Sequence, residues 1–115
     1  MTIPIKRVYE TPETSDGKRV LIDRLWPRGL TKQKAAVDLW LKDIAPSAEL
    51  RKWFGHEAAK WPEFQQRYRA ELKGNAALAE LKSLVAQGKV TLVYGAKDEQ
   101  HNDAVVLQQL LGRGG

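Results

Sequence analysis

The sequence predicts an α/β fold, a single compact domain with a largely parallel β-sheet of about four strands flanked by helices. Its 115 residues leave room for one domain (residues 1–115), and a hydrophobic content of 43% is enough for one core. Two β-rich apolar runs, at residues 20–22 and 90–94, are separated by segments with helical spacing. Strands that alternate with helices are typical of a parallel sheet.

The first two strands are predicted near the start of the chain. Ile3, Ile5 and Val8 form a short apolar stretch that predicts the first strand. Residues 11–18 contain a proline and an Asp-Gly pair, which indicate a turn-rich connection. The second strand is predicted over residues 19–25, and its continuous apolar centre indicates burial on both faces.

Residues 24–32, which we call the elbow, follow the second strand. Thr31 is placed to cap a short helix that extends through Ala36. Beyond this helix apolar and polar residues alternate, which favours an extended segment and leaves a helix open as the alternative. The apolar positions of that alternation are Val37, Leu39 and Leu41.

The middle of the chain contains the start and stop signals of three helices. Ser47 is a good N-cap for the first, and Gly55 is placed to end it. The second begins near Pro62, and the third is capped by Asn75 and ends at Gly88. Apolar residues recur at helical spacing in the last two and form core stripes: Phe64, Tyr68, Leu72, Leu78, Leu81 and Val85.

The last strand is predicted over residues 90–94, and the last helix begins within residues 97–103. Asp98 and Asn102 are rival caps for this helix, and the sequence does not decide between them. Residues 95–102, which join the strand to the helix, are called the final loop below.

The composition excludes several classes of protein. No apolar run approaches the roughly 18 residues that a membrane span needs, and the first residues lack the apolar core of a signal peptide. We therefore expect a cytoplasmic protein with no membrane association. The absence of cysteine excludes disulfides, thiolate catalysis and cysteine metal ligands. No Walker-type or GxGxxG motif is present, and no cofactor is expected.

The positive charge is concentrated in one segment. Residues 18–34 contain six lysines and arginines against Asp23 alone, so this segment carries the whole net charge of +5. A local basic segment suits an anionic partner, which could be a phosphorylated small molecule, a nucleic acid or an acidic protein. The alternative is a solvated charged face.

The elbow and the final loop both leave the carboxyl ends of predicted strands, where ligands bind in open α/β sheets. If the two strands are parallel neighbours, polar side chains of both loops converge. These side chains are Arg24, Arg28, Lys97, Asp98, His101 and Asn102.

The residue types of the elbow suit an anion-binding loop. Pro27 fixes its own φ and favours an extended Trp26, and Gly29 permits a turn or a close approach to a ligand. Arg28 is thereby presented on a rigid loop, and its guanidinium can bind phosphate or carboxylate through two hydrogen bonds. Backbone N–H groups at the start of the last helix favour the same anion. The alternative is that Arg24 pairs with a carboxylate and Trp26 only packs.

His56 and His101 are the only histidines, and either could act as an acid or base near neutral pH. Neither belongs to a recognised metal-ligand spacing, so no metal site is predicted. None of the serines lies in a nucleophile motif. Any catalysis is therefore expected to be acid/base or electrostatic, with Asp23, Asp98 or His101 as the catalytic groups.

Aromatic residues are frequent between Trp40 and Trp61, where they are interleaved with basic residues. Such a pattern could stack nucleobases, although aromatic residues more often form a core and its rim. We expect Trp53 or Phe54 in the core, with one of the pair at the mouth of a pocket.

Three stretches, VLIDRLWPRGLTK, DLWLKDIAPSAELRKWFGH and TLVYGAKDEQHNDAVVL, resemble the signature sequences of the YeaO-like branch of the DUF488 family, a family named as a domain of unknown function. The resemblance implies a small bacterial α/β domain and carries no established activity. Many members of the broader family have a cysteine-histidine pair in the loop after the last strand, where this chain has His101 and Asn102. The resemblance falls on Asp23, Arg24, Trp26, Pro27, Arg28, Gly29, Trp53, Phe54, Gly55, His56, Lys97, Asp98, His101 and Asn102.

Three hypotheses of function follow from the sequence. The first is a pocket at the strand ends that receives a phosphate- or carboxylate-bearing small molecule, with acid/base catalysis left open. Its predicted ligand-binding residues are Arg24, Trp26, Arg28, Gly29, Trp53, His56, Lys97 and Asn102. The second is a nucleic-acid-binding module that uses residues 18–34, and the third is a protein-interaction subunit that uses exposed aromatic residues.

Overall fold

Four parallel strands form one β-sheet with five α-helices around it, in a computed structural model that describes residues 3–112. The strands are β1 (Ile5–Arg7), β2 (Lys18–Leu21), β3 (Leu39–Trp40) and β4 (Val90–Tyr94), arranged in the order β1-β4-β2-β3. The helices are α1 (Lys32–Ala35), α2 (Ala48–Phe54), α3 (Trp61–Leu72), α4 (Ala76–Gln87) and α5 (Asp103–Gly112). The predicted α/β fold with a parallel sheet is confirmed.

The central strands β2 and β4 are buried on both faces of the sheet, as the continuous apolar run of β2 predicted. Val20 and Leu92 lie side by side in the sheet and belong to the larger core. Their neighbours Leu21 and Val93 also pair, and these two point to a smaller core with Val8. The larger core contains residues of α2, α3, α4 and α5, whereas the smaller core is completed by the elbow and α1. Helical or loop cover on both faces explains why Val20, Leu21, Leu92 and Val93 are all apolar.

The predicted helix caps are present where the chain enters the helices. The side-chain oxygens of Thr31, Ser47 and Asn75 accept backbone N–H groups three residues further on, each at 3.1 Å. At α5 the structure decides between the two candidate N-cap residues. Asn102 Oδ1 accepts the N–H of Val105 at 3.1 Å, while Asp98 binds amides within the final loop. Asn102 is therefore the cap.

The second strand ends earlier than the sequence predicts. Its expected span was residues 19–25, yet β2 ends at Leu21 and residues 23–25 bend away from the sheet. The reason lies in Asp23. Its side-chain oxygen Oδ2 accepts the N–H of Gly95, the residue after β4, at 2.8 Å, so a side chain rather than a strand ladder connects the two segments there. The alternation around Leu39 proves to be the extended alternative, although β3 is only two residues long.

Tyr68 connects the helical layer to the segment that follows β3. Its side chain is fully buried, and its hydroxyl donates a 2.7 Å hydrogen bond to the carbonyl of Ile44. Ala45 and Pro46, the next two residues, are buried as well and form one wall of the pocket described below. Tyr68 thus determines where that wall lies. Over residues 3–112, none of the helices combines the length and apolar character needed to cross a bilayer.

We predict that Tyr68→Phe lowers the free energy of unfolding by about 1–3 kcal/mol, because it leaves the buried Ile44 carbonyl without its donor. Tyr9→Phe is the matched control, since the Tyr9 hydroxyl also donates to a carbonyl, that of Arg28 at 3.0 Å, but from an exposed position. We expect the control to change the free energy by less than about 0.5 kcal/mol. Urea denaturation measures both, and equal losses would contradict the assigned role of Tyr68.

Candidate ligand-binding site

The elbow and the final loop meet at one edge of the sheet. Strands β2 and β4 are parallel neighbours, so the two loops leave the sheet side by side. Asp23, the residue before the elbow, accepts the N–H of Gly95 through Oδ2 at 2.8 Å and so connects the starts of the two loops. A Cβ atom at Gly95 would lie 3.2 Å from this oxygen, so glycine permits the close approach. The convergence inferred from the sequence is therefore present at the level of the backbone.

A pocket of about 340 Å³ lies beside this contact. The apolar part of its lining includes Trp26, Phe54 and Phe64. The rings of Phe54 and Phe64 are stacked, with centroids 4.4 Å apart. The polar lining carries groups of both charges: Asp23, Arg24, Arg51, His56, His101, Asn102 and Asp103.

Arg24 enters this pocket without a protein partner. Its Nε atom is buried and finds no hydrogen-bond acceptor within residues 3–112. A buried polar group without a partner costs about 1–3 kcal/mol. Arg51, an exposed residue of α2, lines the same pocket, and neither arginine forms an ion pair with a described carboxylate. The alternative in which Arg24 serves an internal salt bridge is therefore not the arrangement found.

Asp23 and Asp103 form an acidic pair in the pocket. Burial raises the pKa of Asp23, although the Gly95 N–H and the Arg51 charge oppose that rise. Burial raises the pKa of Asp103 well above its ordinary range, and the charge of Asp23 raises it further. These directions agree with the rule that neighbouring carboxyl groups resist simultaneous ionisation. The pair thus favours retaining a proton between them.

His101 reaches the pocket from the final loop and is held by Asp98. Asp98 Oδ2 lies 2.9 Å from His101 Nδ1, and Asp98 Oδ1 accepts the N–H groups of Gln100 and His101. Those hydrogen bonds lower the pKa of Asp98, which is therefore an acceptor at neutral pH. Nδ1 must then be a protonated nitrogen, and Nε2 remains for another partner. The ring packs edge-on against Trp61, with centroids 5.3 Å apart.

His56 also lines the pocket and follows α2 directly after Gly55. Gly55 and His56 have φ angles of 52° and 59°, two successive residues in the left-handed region. A non-glycine residue in that region is uncommon. The turn keeps the His56 ring near Phe54, with centroids 6.0 Å apart, while the side chain stays exposed.

Six of the eleven residues that the sequence nominated line the pocket: Asp23, Arg24, Trp26, His56, His101 and Asn102. Asn102 is buried and already uses both ends of its amide, since Nδ2 donates to the Asp98 carbonyl and Oδ1 caps α5. Asp103 Oδ1 accepts the next N–H of that helix, from Ala104. The helix-start amides expected to bind the anion are thus partly satisfied by side chains.

The other five nominated residues lie outside the pocket lining: Arg28, Gly29, Trp53, Lys97 and Asp98. Arg28 is exposed at the tip of the elbow, and Gly29 beside it has a φ of 81° with open space around its Cα, so this glycine makes a turn. Lys97 is exposed. The Trp53 ring packs against Lys60 and Arg67, at 5.2 and 4.3 Å, and Phe54 is the member of that pair that lines the pocket. Asp98 acts on the pocket through His101.

Sequence reasoning missed two charged residues of the pocket, Arg51 and Asp103. Arg51 precedes Phe54 by three residues on α2, and that spacing places both side chains on one face of the helix. Asp103 follows the final loop as the first residue of α5. Within the part of the chain that the structure describes, no three potential metal-ligating side chains are grouped around a common point.

The chain is similar to proteins of one bacterial family. The family model described as "Inactive DUF488-N3 subclade" matches residues 2–113. The uncharacterized protein Rv3073c of Mycobacterium tuberculosis is 45% identical over 109 residues, which cover 95% of this chain and 92% of that protein. The uncharacterized protein YeaO of Escherichia coli is 44% identical over 112 residues, which cover 96% of this chain and 97% of YeaO. No solved structure matches the chain.

We predict that Asp103→Asn makes the protein more stable at pH 7. The folded-state pKa of Asp103 is raised, so its contribution to stability is complete below the unfolded pKa of about 3.9 and is lost as the pH rises through the folded pKa. Asparagine cannot ionise and avoids this loss, so the advantage of the variant should shrink as the pH falls. Urea denaturation between pH 4 and pH 8 measures it.

Glu49→Gln is the control for this prediction, because Glu49 is an exposed acidic residue in the first turn of α2. Its loss removes a favourable interaction with the helix dipole and should lower stability at pH 7 by no more than about 1 kcal/mol. A wild-type protein more stable at pH 7 than the Asp103→Asn variant would contradict a costly buried carboxyl at this position.

Proposed function

The chain belongs to the DUF488 family, and from this premise we propose that it is a ligand-binding protein whose pocket receives a small anion, a carboxylate or phosphate, at Arg24 and Arg51. The description of the matching subclade as inactive supports binding rather than turnover. The relatives themselves are uncharacterized bacterial proteins, so the ligand is argued from the pocket.

The observation that carries the proposal is the unpartnered guanidinium of Arg24. An arginine keeps its charge at any physiological pH, and a buried one normally pairs with a carboxylate or phosphate. Here the partner is not supplied by residues 3–112, and the pocket that contains Arg24 is open to a ligand. An anion in the pocket would accept from the Nη groups of Arg24, which make no hydrogen bond to residues 3–112 and, unlike Nε, are not buried. Arg51 would add a second positive charge from α2.

A second candidate is an acid/base enzyme, which the acidic pair favours. Carboxyl groups whose pKa values are shifted by burial and by each other are typical of catalytic acids and bases. His101 would supply Nε2 as a further proton acceptor, with Asp98 as its positioning residue. We rank this candidate below binding because the family description points away from catalysis.

The nucleic-acid hypothesis is weakened because the basic residues of segment 18–34 do not all lie on one exposed face. Arg19 is only 3% exposed, and its Nη1 atom pairs with Asp16 at 2.7 Å. Arg24 points into the pocket region, so two of the six basic residues do not contribute to an exposed face. Large exposed hydrophobic side chains among residues 3–112 are Tyr9, Leu25 and Trp40, which offers the interaction hypothesis few anchors.

We predict that Arg24→Gln weakens anion binding by about tenfold or more, because it removes charge-assisted hydrogen bonds worth about 1.5–3 kcal/mol. A thermal-shift screen of carboxylates and phosphates selects the tightest anion, and isothermal titration calorimetry measures its Kd. Arg28→Gln is the matched control, since Arg28 carries the same charge on the same elbow outside the pocket. Its Kd should stay within about twofold of wild type.

Either of two results would count against the proposal. One is an anion that binds Arg24→Gln as tightly as the wild type. The other is a loss confined to Arg28→Gln, which would move the anion site to the tip of the elbow. Both variants should be checked for an unchanged circular dichroism spectrum before binding is compared.

A further inference from the structure

The pocket has unsatisfied hydrogen-bond acceptors as well as unsatisfied donors. Asp23 Oδ2 is used by the Gly95 N–H, but Asp23 Oδ1 has no partner within the described residues. Because the buried side-chain atom without a partner is Arg24 Nε, this carboxylate oxygen is one that solvent reaches. The Asp103 side chain likewise accepts through Oδ1 from the Ala104 N–H, the next residue of its own helix, and Oδ2 has no partner within residues 3–112. A bound molecule would therefore meet carboxyl oxygens as well as guanidinium N–H groups.

The arginines and the aspartates of the pocket are not paired with each other as salt bridges. No nitrogen of Arg24 or Arg51 comes within 4.0 Å of a carboxylate oxygen in residues 3–112, whereas Arg19 and Asp16 elsewhere in the fold make such a pair. A ligand with only a negative charge would satisfy the arginines and face the acidic pair. A ligand with only a positive charge would do the reverse. Like charges brought together in a partly buried site oppose binding.

The size of the pocket limits how far apart the two charges of a ligand can lie. Two arginines and two aspartates, Arg24, Arg51, Asp23 and Asp103, line one cavity of about 340 Å³, so a single small molecule meets both sets. In a molecule of that size the cation and the anion are separated by only a few bonds. An α-amino acid is the simplest common molecule of this kind.

The apolar part of the pocket lining indicates what kind of side chain the ligand carries. Trp26, Phe54 and Phe64 contribute aromatic surface, and Phe54 and Phe64 stack to form a continuous face. Ligand pockets span about 300–1,000 Å³, so a volume of about 340 Å³ selects a small molecule. An apolar or aromatic side chain of the ligand would pack against these rings and exclude water from the polar groups.

We propose that the ligand is a small zwitterion with an apolar body, an α-amino acid with an apolar side chain being the simplest case. Its carboxylate binds Arg24 and Arg51, its ammonium group binds Asp23 and Asp103, and its side chain lies against Phe54 and Phe64. This inference rests on the proposed anion-binding function and adds a requirement to it, namely that the ligand carries a cation beside its anion.

Three probes of the same shape test the requirement by isothermal titration calorimetry at pH 7. L-Phenylalanine carries both charges, 3-phenylpropionate lacks the ammonium group, and 2-phenylethylamine lacks the carboxylate. We expect phenylalanine to bind at least about tenfold more tightly than either analogue, because each missing charge forfeits a charge-assisted hydrogen bond. Asp23→Asn, which keeps an oxygen to accept the Gly95 N–H, should weaken phenylalanine binding by about tenfold and leave 3-phenylpropionate unweakened.

Each other result overturns the zwitterion assignment and bears differently on the anion pocket. Equal affinities for 3-phenylpropionate and phenylalanine would remove the need for a cation and leave the anion pocket standing. Tight binding of 2-phenylethylamine, with none of 3-phenylpropionate, would remove both proposals. If none of the three probes binds, the amino-acid assignment fails, and the anion pocket is judged by the Arg24→Gln comparison alone.

Discussion

The parallel pairing of β2 with β4 is the constraint on which the site depends. These strands are distant in the chain, and their pairing brings the elbow and the final loop to the same edge of the sheet. The hydrogen bond from the Gly95 N–H to Asp23 then joins the loops at the point where the strands end. One carboxylate therefore ends a strand, connects two loops and lines the pocket. A Cβ atom at position 95 would lie only 3.2 Å from Asp23 Oδ2, so glycine favours this close approach.

The elbow is held in place by side chains that hydrogen-bond to its backbone or to the residue before it. Trp26 Nε1 donates to the Leu30 carbonyl at 2.7 Å, and the Tyr9 hydroxyl donates to the Arg28 carbonyl at 3.0 Å. Trp40 Nε1 donates to the Asp23 carbonyl at 2.7 Å, and its ring packs edge-on against Trp26. Bonds of this kind let a protein hold a charged side chain in a defined position without pairing it.

Two clusters of arginine and aspartate in this fold show opposite uses of the same residue types. Arg19 donates to Asp16 and to the Ala35 carbonyl, and Lys6 also contacts Asp16, so this buried network is satisfied by the protein. Arg24, Asp23 and Asp103 all line the pocket without such pairing. Burial of unpaired polar groups lowers stability, and proteins accept that loss mainly where a ligand or a reaction needs the groups. The contrast directs attention to the pocket rather than to the basic segment as a whole.

The sequence by itself determined the fold class, the two central strands, the caps at Thr31, Ser47 and Asn75, and the two loops that would meet. The strands and caps follow from the types and spacing of residues that are neighbours in the sequence. The two loops follow from the general position of ligand sites in α/β sheets. Only the tertiary structure decided which charged residues face the pocket. Arg24 enters it while Arg28, four residues later, stays in solvent, and Arg51 and Asp103 arrive from helices that packing brings beside the loops. Side-chain direction and pairing depend on contacts between distant segments, and residue type or spacing does not encode them.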